Sequence, residues 1–130
     1  MLDHIGINVS DFERSKAFYR AALAPLGYEI RKEKGTAAGF GVPDGPRRSA
    51  DPAGEFWIAV GPPQAPRPHV AFTAASRAVV DAFYASALAA GGRDNGRPGL
   101  RPQYHAAYYG AFVLDPDGYN IEAVCHAADG

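Results

Sequence analysis

The chain has too little of several residue types for some classes of protein. Its single cysteine, Cys125, excludes an intramolecular disulfide and does not indicate an oxidising compartment. The 13 Lys and Arg residues nearly balance the 14 Asp and Glu residues, and the net charge of −1 predicts neither nucleic-acid nor membrane-surface binding. The alanine-rich stretch over residues 71–90 is interrupted by Arg77 and Asp81, which excludes a membrane span there. The expected partners are therefore a small-molecule substrate and a second copy of the chain.

What remains is the composition of one globular domain. A chain of 130 residues, 47% of them hydrophobic and 21% charged, can bury a core without disulfides. The opening Met-Leu-Asp-His passes directly into a strand-like pattern, which argues against a signal peptide. We therefore expect a single cytoplasmic domain over residues 1–130.

The chain resembles itself at a spacing of 65 residues. The stretch HIGINVSDFERSKAFYRAALAPLG, from His4, aligns without a gap with HVAFTAASRAVVDAFYASALAAGG, from His69. Near the end of each half, DPAGEFWIAV from Asp51 matches DPDGYNIEAV from Asp115, displaced by one position relative to the first match. Two matches in the same order indicate a duplicated structural unit.

Each half has the pattern of a strand followed by a helix and three shorter strands. The alternation from His4 to Val9 is that of a half-buried strand. Ser10 and Glu13 then predict a capping box at the start of a helix, and Ser76 is the predicted N-cap of the second helix. The later strands are predicted near residues 28–34, 37–42, 56–60, 93–100, 109–114 and 119–125. The prediction is an α+β fold of two βαβββ modules, roughly 1–61 and 68–126, with a Pro-rich connector over 61–68.

Strand parity places three potential metal ligands on one face of the predicted sheets. His4 and His69 begin equivalent strands and point away from the apolar face that must cover the helix. Glu122, on the last strand, points opposite to Ile121 and Ala123 and hence to the same side. Taken alone, each of these residues is more typical of a surface or a strand end. Together they form a common ligand set for a divalent metal.

The opening HIGINVSDFERSKAFYRAALAPLGY, the second start HVAF and the ending DPDGYNIEAV together resemble the vicinal oxygen chelate superfamily. This superfamily includes glyoxalase I, extradiol dioxygenases, fosfomycin-resistance enzymes and bleomycin-resistance proteins. The resemblance implies that the two modules form an open, curved, mixed-sheet barrel around a metal-binding cleft. It also implies a homodimer and one divalent metal ion, Fe²⁺, Zn²⁺, Ni²⁺ or Mn²⁺, held by His4, His69 and Glu122.

The resemblance to glyoxalase I is incomplete at one position. Glyoxalase I-like members carry a fourth ligand, a glutamate on the last strand of the first module. Here the displaced match puts Ile58 opposite Glu122, with Trp57 beside it, and Glu55 could serve only if a bulge intervened. Three protein ligands would leave coordination positions open for water, substrate or O₂.

The segment over residues 94–109 is rich in Gly, Pro, Tyr and Arg, and the resemblance implies that it overhangs the cleft. Tyr104 and His105 are candidates for proton transfer, and Glu122 is the third catalytic candidate. The alternatives are amphipathic packing for the tyrosines and an exposed loop position for His105. Candidates for substrate contact are Arg101, for an anionic group, and Tyr108, Tyr109 and Trp57. Residues predicted to be solvated are His126, Arg47 and Arg48.

Two classes of function follow from the ligand set and the resemblance. The first is a metal-dependent enzyme that chelates neighbouring oxygens of its substrate, either as a lyase or isomerase or as a ring-cleaving dioxygenase. The second is a non-catalytic binder resembling bleomycin-resistance proteins, which sequester a drug in a cleft between subunits. Because those proteins lack the metal ligands, the complete set here favours the enzyme.

Overall fold

Two βαβββ modules make up residues 1–128, the part of the chain that the computed structural model describes. The first consists of β1 (Ile5–Val9), α1 (Phe12–Leu23), a 3-10 turn (Ala24–Leu26), β2 (Glu29–Lys34), β3 (Ala37–Gly41) and β4 (Phe56–Val60). The second consists of β5 (Val70–Thr73), α2 (Arg77–Ala89), β6 (Arg93–Leu100), β7 (Tyr109–Leu114) and β8 (Asn120–Cys125). The predicted α+β fold is confirmed. Neither helix in this part of the chain has the length and apolarity needed to cross a membrane.

Each module contains one open, four-stranded mixed sheet with its helix on one face. The strand orders are β1-β4-β3-β2 and β5-β8-β7-β6. The first and last strands of each module are parallel neighbours, and the other neighbours are antiparallel. The strands predicted to carry His69 and Glu122, β5 and β8, are therefore adjacent in the second module.

The helix side of both sheets forms one apolar core. Ile7 of β1 and Ile58 of β4 are 2% and 0% exposed, and Phe18 and Tyr19 of α1 are fully buried against that side. Burying each large apolar side chain stabilises the fold by about 1.5–3 kcal/mol. Because strand residues alternate between faces, His4 is directed to the opposite, helix-free side.

One predicted helix cap is wrong and the other is confirmed. Asp11 is the N-cap of α1, with its Oδ1 accepting from the Arg14 amide at 3.1 Å. Ser10, predicted to cap this helix, instead donates its hydroxyl to Asp117 in the turn before β8. The Ser10 hydroxyl therefore bonds to the second module instead of capping α1 as the local sequence had predicted. In α2, the Ser76 hydroxyl accepts from the Val79 amide at 3.2 Å, as predicted.

Polar contacts join the end of β1 to the start of β8. The Tyr119 hydroxyl donates to the Asn8 carbonyl oxygen at 2.6 Å. Gln64 of the connector accepts from the Asn8 amide at 3.0 Å, and its own amide donates to the Tyr119 hydroxyl oxygen at 3.0 Å. His4, four residues before Asn8, therefore lies about 13 Å from this contact along an extended strand.

In the first module, residues 49–54 cover the sheet face opposite the helix. A Cβ on Gly39 would lie 2.6 Å from Trp57 Cε2 and closer still to the Ala53 carbonyl oxygen. A Cβ on Gly41 would lie 2.8 Å from the Ser49 hydroxyl oxygen. These distances are far shorter than van der Waals contact. The loop and the indole occupy the space that side chains would need, and β3 therefore has glycine at both positions.

Candidate metal centre

His69 and Glu122 meet on the open face of the second sheet. Ala71 of β5 pairs with Glu122 of β8, and His69, two residues before Ala71, is directed to the same face. His69 Nε2 lies 2.8 Å from Glu122 Oε1. The Glu122 side chain is only 3% exposed, whereas that of His69 is 43% exposed. The carboxylate is thus the buried member of the pair, and the imidazole is the member accessible to solvent.

A hydrogen bond to a backbone carbonyl determines the tautomer of His69. His69 Nδ1 lies 2.8 Å from the Asn120 carbonyl oxygen, and because a carbonyl only accepts, Nδ1 must donate. In the neutral ring Nε2 then carries a lone pair directed at the Glu122 carboxylate. An imidazole lone pair and a carboxylate oxygen at 2.8 Å repel each other unless they share a proton or would jointly hold a metal ion. A histidine ligand anchored in this way through its other nitrogen is a common feature of metal sites.

Tyr108 fixes the other oxygen of the same carboxylate. Its hydroxyl donates to Glu122 Oε2. Burial, followed by this hydrogen bond, raises the pKa of Tyr108, so the hydroxyl remains a donor at neutral pH. With Oε2 occupied in this way, Oε1 is the oxygen available to a cation beside His69.

Three aromatic residues surround Tyr108, and two of them are the predicted proton-transfer candidates. The rings of Tyr104 and His105 lie 4.8 Å and 5.4 Å from the Tyr108 ring, and the His126 ring also lies at 5.4 Å. The Ala107 amide donates to His105 Nδ1 at 3.2 Å, so His105 Nε2 must donate to His126 Nδ1, 2.9 Å away. The structure thus brings Tyr104 and His105 to Glu122 through Tyr108, and their catalytic roles stay predictions.

His126 is the residue of this cluster that sequence reasoning missed. It is exposed, as predicted, but it pairs with His105 and packs against Tyr108. The tail around it is composed of small residues and carries no motif. Strand parity could have revealed it, since His126 follows Glu122 by four positions and so continues the same face of β8.

His4 does not join the other two predicted ligands within one chain. Its Nδ1 lies 2.7 Å from Asp3 Oδ1. Across residues 1–128, the group of potential ligands with atoms within 4.8 Å of one another is Asp3, His4 and Asp51, at exposed or half-exposed positions. The predicted set of His4, His69 and Glu122 therefore stays a prediction, with two of its members in contact.

His4 and His69 nevertheless border the same cleft between the modules, a cavity of about 430 Å³. This volume lies in the usual range for a small-molecule site. Apolar residues that line the cleft are the buried Leu26, Phe56, Val70 and Phe72 and the more accessible Leu2, Ile5 and Val42. Polar side chains at its border are Asp3, His4, Tyr28, Arg47, Glu55, His69 and Thr73.

Trp57, not Ile58, occupies the position in the first module that Glu122 occupies in the second. Gly6 pairs with Trp57 across β1 and β4, as Ala71 pairs with Glu122 across β5 and β8. Ile58 points into the core. The predicted match of Ile58 with Glu122 is wrong because two residues lie between the DPAG turn and Trp57, whereas three lie between the DPDG turn and Glu122. At this position an indole replaces the carboxylate that a fourth ligand would need.

The other substrate-contact candidates make contacts of their own. The Tyr109 hydroxyl donates to Asp81 of α2 at 2.7 Å, on the helix side of the sheet. Arg101 donates to the carbonyl oxygens of Gly99 and Arg97 at 2.9 Å and 2.7 Å. Trp57 donates its Nε1–H to the carbonyl oxygen of Gly54 at 3.3 Å. Their predicted contacts with substrate stay predictions.

Comparison with known proteins gives the same family that the motifs suggested. A sequence model described as the Glyoxalase/Bleomycin resistance protein/Dioxygenase superfamily matches residues 1–123. A solved glyoxalase/bleomycin resistance protein from Albidiferax ferrireducens is 30% identical, with 96% of this chain and 98% of that chain covered and a TM-score of 0.77. A search among curated proteins gave no match.

More distant structures share the fold. A mutant of the fosfomycin resistance protein FosX from Listeria monocytogenes, complexed with Mn(II) and a dihydroxypropylphosphonic acid, is 20% identical, with a TM-score of 0.68. The match covers 100% of this chain and 90% of that chain. A glyoxalase I mutant from Zea mays is 22% identical over 95% of this chain and 46% of that chain, also with a TM-score of 0.68. The chain therefore belongs to the glyoxalase/bleomycin resistance protein/dioxygenase superfamily.

Proposed function

We propose that the protein is a divalent-metal-dependent enzyme that acts on a small molecule by binding two neighbouring oxygen atoms of its substrate. The observation that carries the proposal is the approach of His69 Nε2 to Glu122 Oε1, with His69 Nδ1 anchored on a backbone carbonyl. An imidazole nitrogen and a carboxylate oxygen suit Zn²⁺, Fe²⁺, Ni²⁺ or Mn²⁺. A cation held there would supply a Lewis acid for two substrate oxygens. The Mn(II) complex of FosX supports the idea that this fold accommodates such an ion.

Each residue of the centre has a separate task in this proposal. His69 and Glu122 hold the cation, with His4 as the third protein ligand. Tyr108 is a positioning residue that keeps Glu122 in one orientation through its hydrogen bond to Oε2. The predicted proton-transfer candidates His105 and Tyr104 are exposed beside Tyr108, where protons can exchange with solvent.

Metal content provides the direct test. Wild-type protein is reloaded in turn with Fe²⁺, Zn²⁺, Ni²⁺ and Mn²⁺ and then desalted. It is expected to retain about one ion of the preferred metal per chain, because nitrogen and oxygen ligands that are already in position bind the ion more tightly than water does. Inductively coupled plasma mass spectrometry measures the ratio. Retention of none of the four metals would contradict the enzyme proposal.

The loaded protein also separates two reaction branches. Ring cleavage by a dioxygenase consumes O₂, whereas lyase or isomerase chemistry does not. An oxygen electrode with Fe²⁺-loaded protein and a panel of catechols reports the first branch directly. Absence of oxygen uptake across that panel would exclude catechol ring cleavage and leave the lyase or isomerase branch.

A non-catalytic small-molecule binder is the second candidate function. The observation that favours it is the cleft of about 430 Å³, whose apolar lining is suited to ligand binding whether or not a metal is present. Drug sequestration would need saturable binding without product. Binding in the absence of both metal retention and turnover would support this candidate.

We further propose a homodimer in which His4 of one copy completes the centre of the other. Within one chain, β1 contacts the second module through Asn8, and His4 lies at the far end of that strand. A two-fold symmetric exchange would bring the first strand of each copy to the His69 and Glu122 pair of its partner, giving two equivalent centres.

Mixing of variants tests the shared centre. In His4→Ala and Glu122→Ala proteins separately, both centres of a dimer are defective. After equal amounts are refolded together, about half of the dimers are mixed and each has one intact centre, so metal content should recover to about one quarter of wild type. His69→Ala mixed with Glu122→Ala is the matched control, because both residues belong to the same chain in each centre, and it should recover nothing. No recovery in the first mixture, with dimers verified by light scattering, would contradict the shared centre.

A further inference from the structure

Arg47 lies at the border of the cleft and is exposed, as its Pro/Gly-rich loop predicted. Its Nη2 donates to the Thr73 carbonyl oxygen at 2.9 Å, so the loop after β3 is connected to the end of β5. One hydrogen bond occupies one of the five N–H donors of a guanidinium. The other donors can still bind a ligand.

The charge of Arg47 is not neutralised by a neighbouring side chain. Within residues 1–128, no carboxylate oxygen lies within 4.0 Å of its guanidinium nitrogens. The two carboxylates of the cleft border have other partners: Asp3 contacts His4 at 2.7 Å, and Glu55 accepts from the Ser49 hydroxyl at 2.9 Å. Arg47 is therefore the cation at this border that is available to an incoming anion.

The neighbourhood of Arg47 within the cleft combines this charge with apolar surface. Burial and a hydrogen bond to Glu55 raise the pKa of Tyr28, which lies at the cleft border. The positive charge of Arg47 partly offsets this rise. The Tyr28 ring packs edge-on against Phe72, with 5.3 Å between ring centroids, and Phe72 packs in the same way against Phe56 at 5.3 Å. Phe72 and Phe56 are only 5% and 1% exposed, so they support the cleft from the core, and Tyr28 and Ile5 present its accessible apolar surface.

We propose that the cleft binds an amphipathic anion, with a carboxylate, sulfonate or phosphonate group on Arg47 and an apolar body against the half-buried Tyr28 and Ile5. A guanidinium matches such oxyanions with paired hydrogen bonds, and the volume of about 430 Å³ accommodates a molecule of one or two rings. The assignment transfers the anion contact to Arg47 from Arg101, which bonds the carbonyl oxygens of Gly99 and Arg97 and does not line the cleft. It rests on the proposed function in that it names the charge class of the substrate.

The test compares two fluorescent probes that share a ring system, anilinonaphthalene sulfonate, which is an anion, and phenylnaphthylamine, which is neutral. Both are titrated against metal-free protein, so the result is independent of metal retention. Arg47→Met should weaken binding of the anionic probe about tenfold or more, because it removes a charge-assisted contact, and should leave the neutral probe unchanged. Arg48→Met is the matched control, since Arg48 lies on the same loop and faces a separate depression beside Pro43 and Asp51. This variant should change neither affinity.

Amide NMR shifts locate the bound probe and complete the test. Shifts of the Phe72 and Thr73 amides on titration would place the anionic probe in the cleft, as expected. An equal loss of affinity in Arg47→Met and Arg48→Met would indicate general attraction by the loop and overturn the assignment. Unchanged affinity in Arg47→Met, shifts confined to other surfaces, or no saturable binding of either probe would also overturn it. Metal retention with any of these results would leave the enzyme proposal intact and remove only the anion site.

Discussion

Replacing Glu122 with alanine is expected to weaken binding of the preferred metal ion by more than about a hundredfold. Substituting a residue that only hydrogen-bonds to a metal ligand already lowers metal affinity about ten- to a hundredfold. The substitution removes the buried carboxylate, so His69 Nε2 no longer has a negatively charged partner at 2.8 Å. It also removes the acceptor of the Tyr108 hydroxyl. Competition with a chromogenic chelator measures the affinity.

Two further variants show whether such a loss is specific. Glu33→Ala removes an exposed glutamate paired with Lys16, far from the centre in the first sheet, and should retain wild-type affinity. Glu122→Gln keeps the side-chain volume and an oxygen that can accept from Tyr108, so it should fold as wild type while still losing most of the affinity. Wild-type affinity in both Glu122 variants would show that the pair with His69 is a structural hydrogen bond rather than a metal centre.

Replacing Gly39 with alanine is expected to lower the free energy of unfolding by about 3 kcal/mol, the upper part of the usual range for overpacking. The added methyl group would lie 2.6 Å from the Trp57 ring, so residues 49–54 and the indole would have to move together. Urea denaturation followed by circular dichroism measures the change. The expected cause of the destabilisation is displacement of residues 49–54 and the Trp57 indole from the first sheet, not loss of β-structure.

Gly6→Ala is the matched control for this prediction. Gly6 lies in β1 on the same sheet face, but its added Cβ would approach Trp57 Cβ no closer than 3.7 Å, an ordinary van der Waals distance. This variant should change the free energy of unfolding by less than about 0.5 kcal/mol. Equal destabilisation by both alanines would contradict the covered face and indicate instead a general intolerance of side chains in this sheet.

These two experiments address an asymmetry between the modules. In the second sheet the open face carries His69 and Glu122, whereas in the first the equivalent face is occupied by Trp57 and a loop. The duplication predicted two equivalent units, and each unit has kept the same strand order. The open face on which His69 and Glu122 meet belongs to the second module, and the first module's predicted ligand, His4, does not reach it within one chain.

Short-range patterns were sufficient to predict the elements of the fold. The alternation of β1 and the helical stripes gave strands and helices within one or two residues of those observed, because burial of one face imposes its period on the sequence. The internal repeat at 65 residues then gave two modules of the same topology. Parity alone correctly placed His69 and Glu122 on one face, since parallel neighbours align side chains of the same phase.

Contacts distant in sequence decided what local patterns could not. Ser10 lost its predicted capping role to Asp117, and one residue fewer after the DPAG turn shifted Trp57 into the position opposite Glu122. Tyr108 and His126 joined the candidate centre because the chain before β7 folds over the end of β8. Arg47 reached the cleft through a carbonyl of the other module.

The sequence by itself therefore determined the repeated βαβββ architecture and the common sheet face of His69 and Glu122, two of the three predicted metal ligands. Both follow from periodicity, which the chain encodes over a few residues at a time. Only the tertiary structure decided which face stays open, which oxygen of Glu122 is available and which cation borders the cleft. These depend on single hydrogen bonds and close packing between segments more than twenty residues apart in the chain, such as His69 with Glu122 and Arg47 with Thr73, and no local period records them.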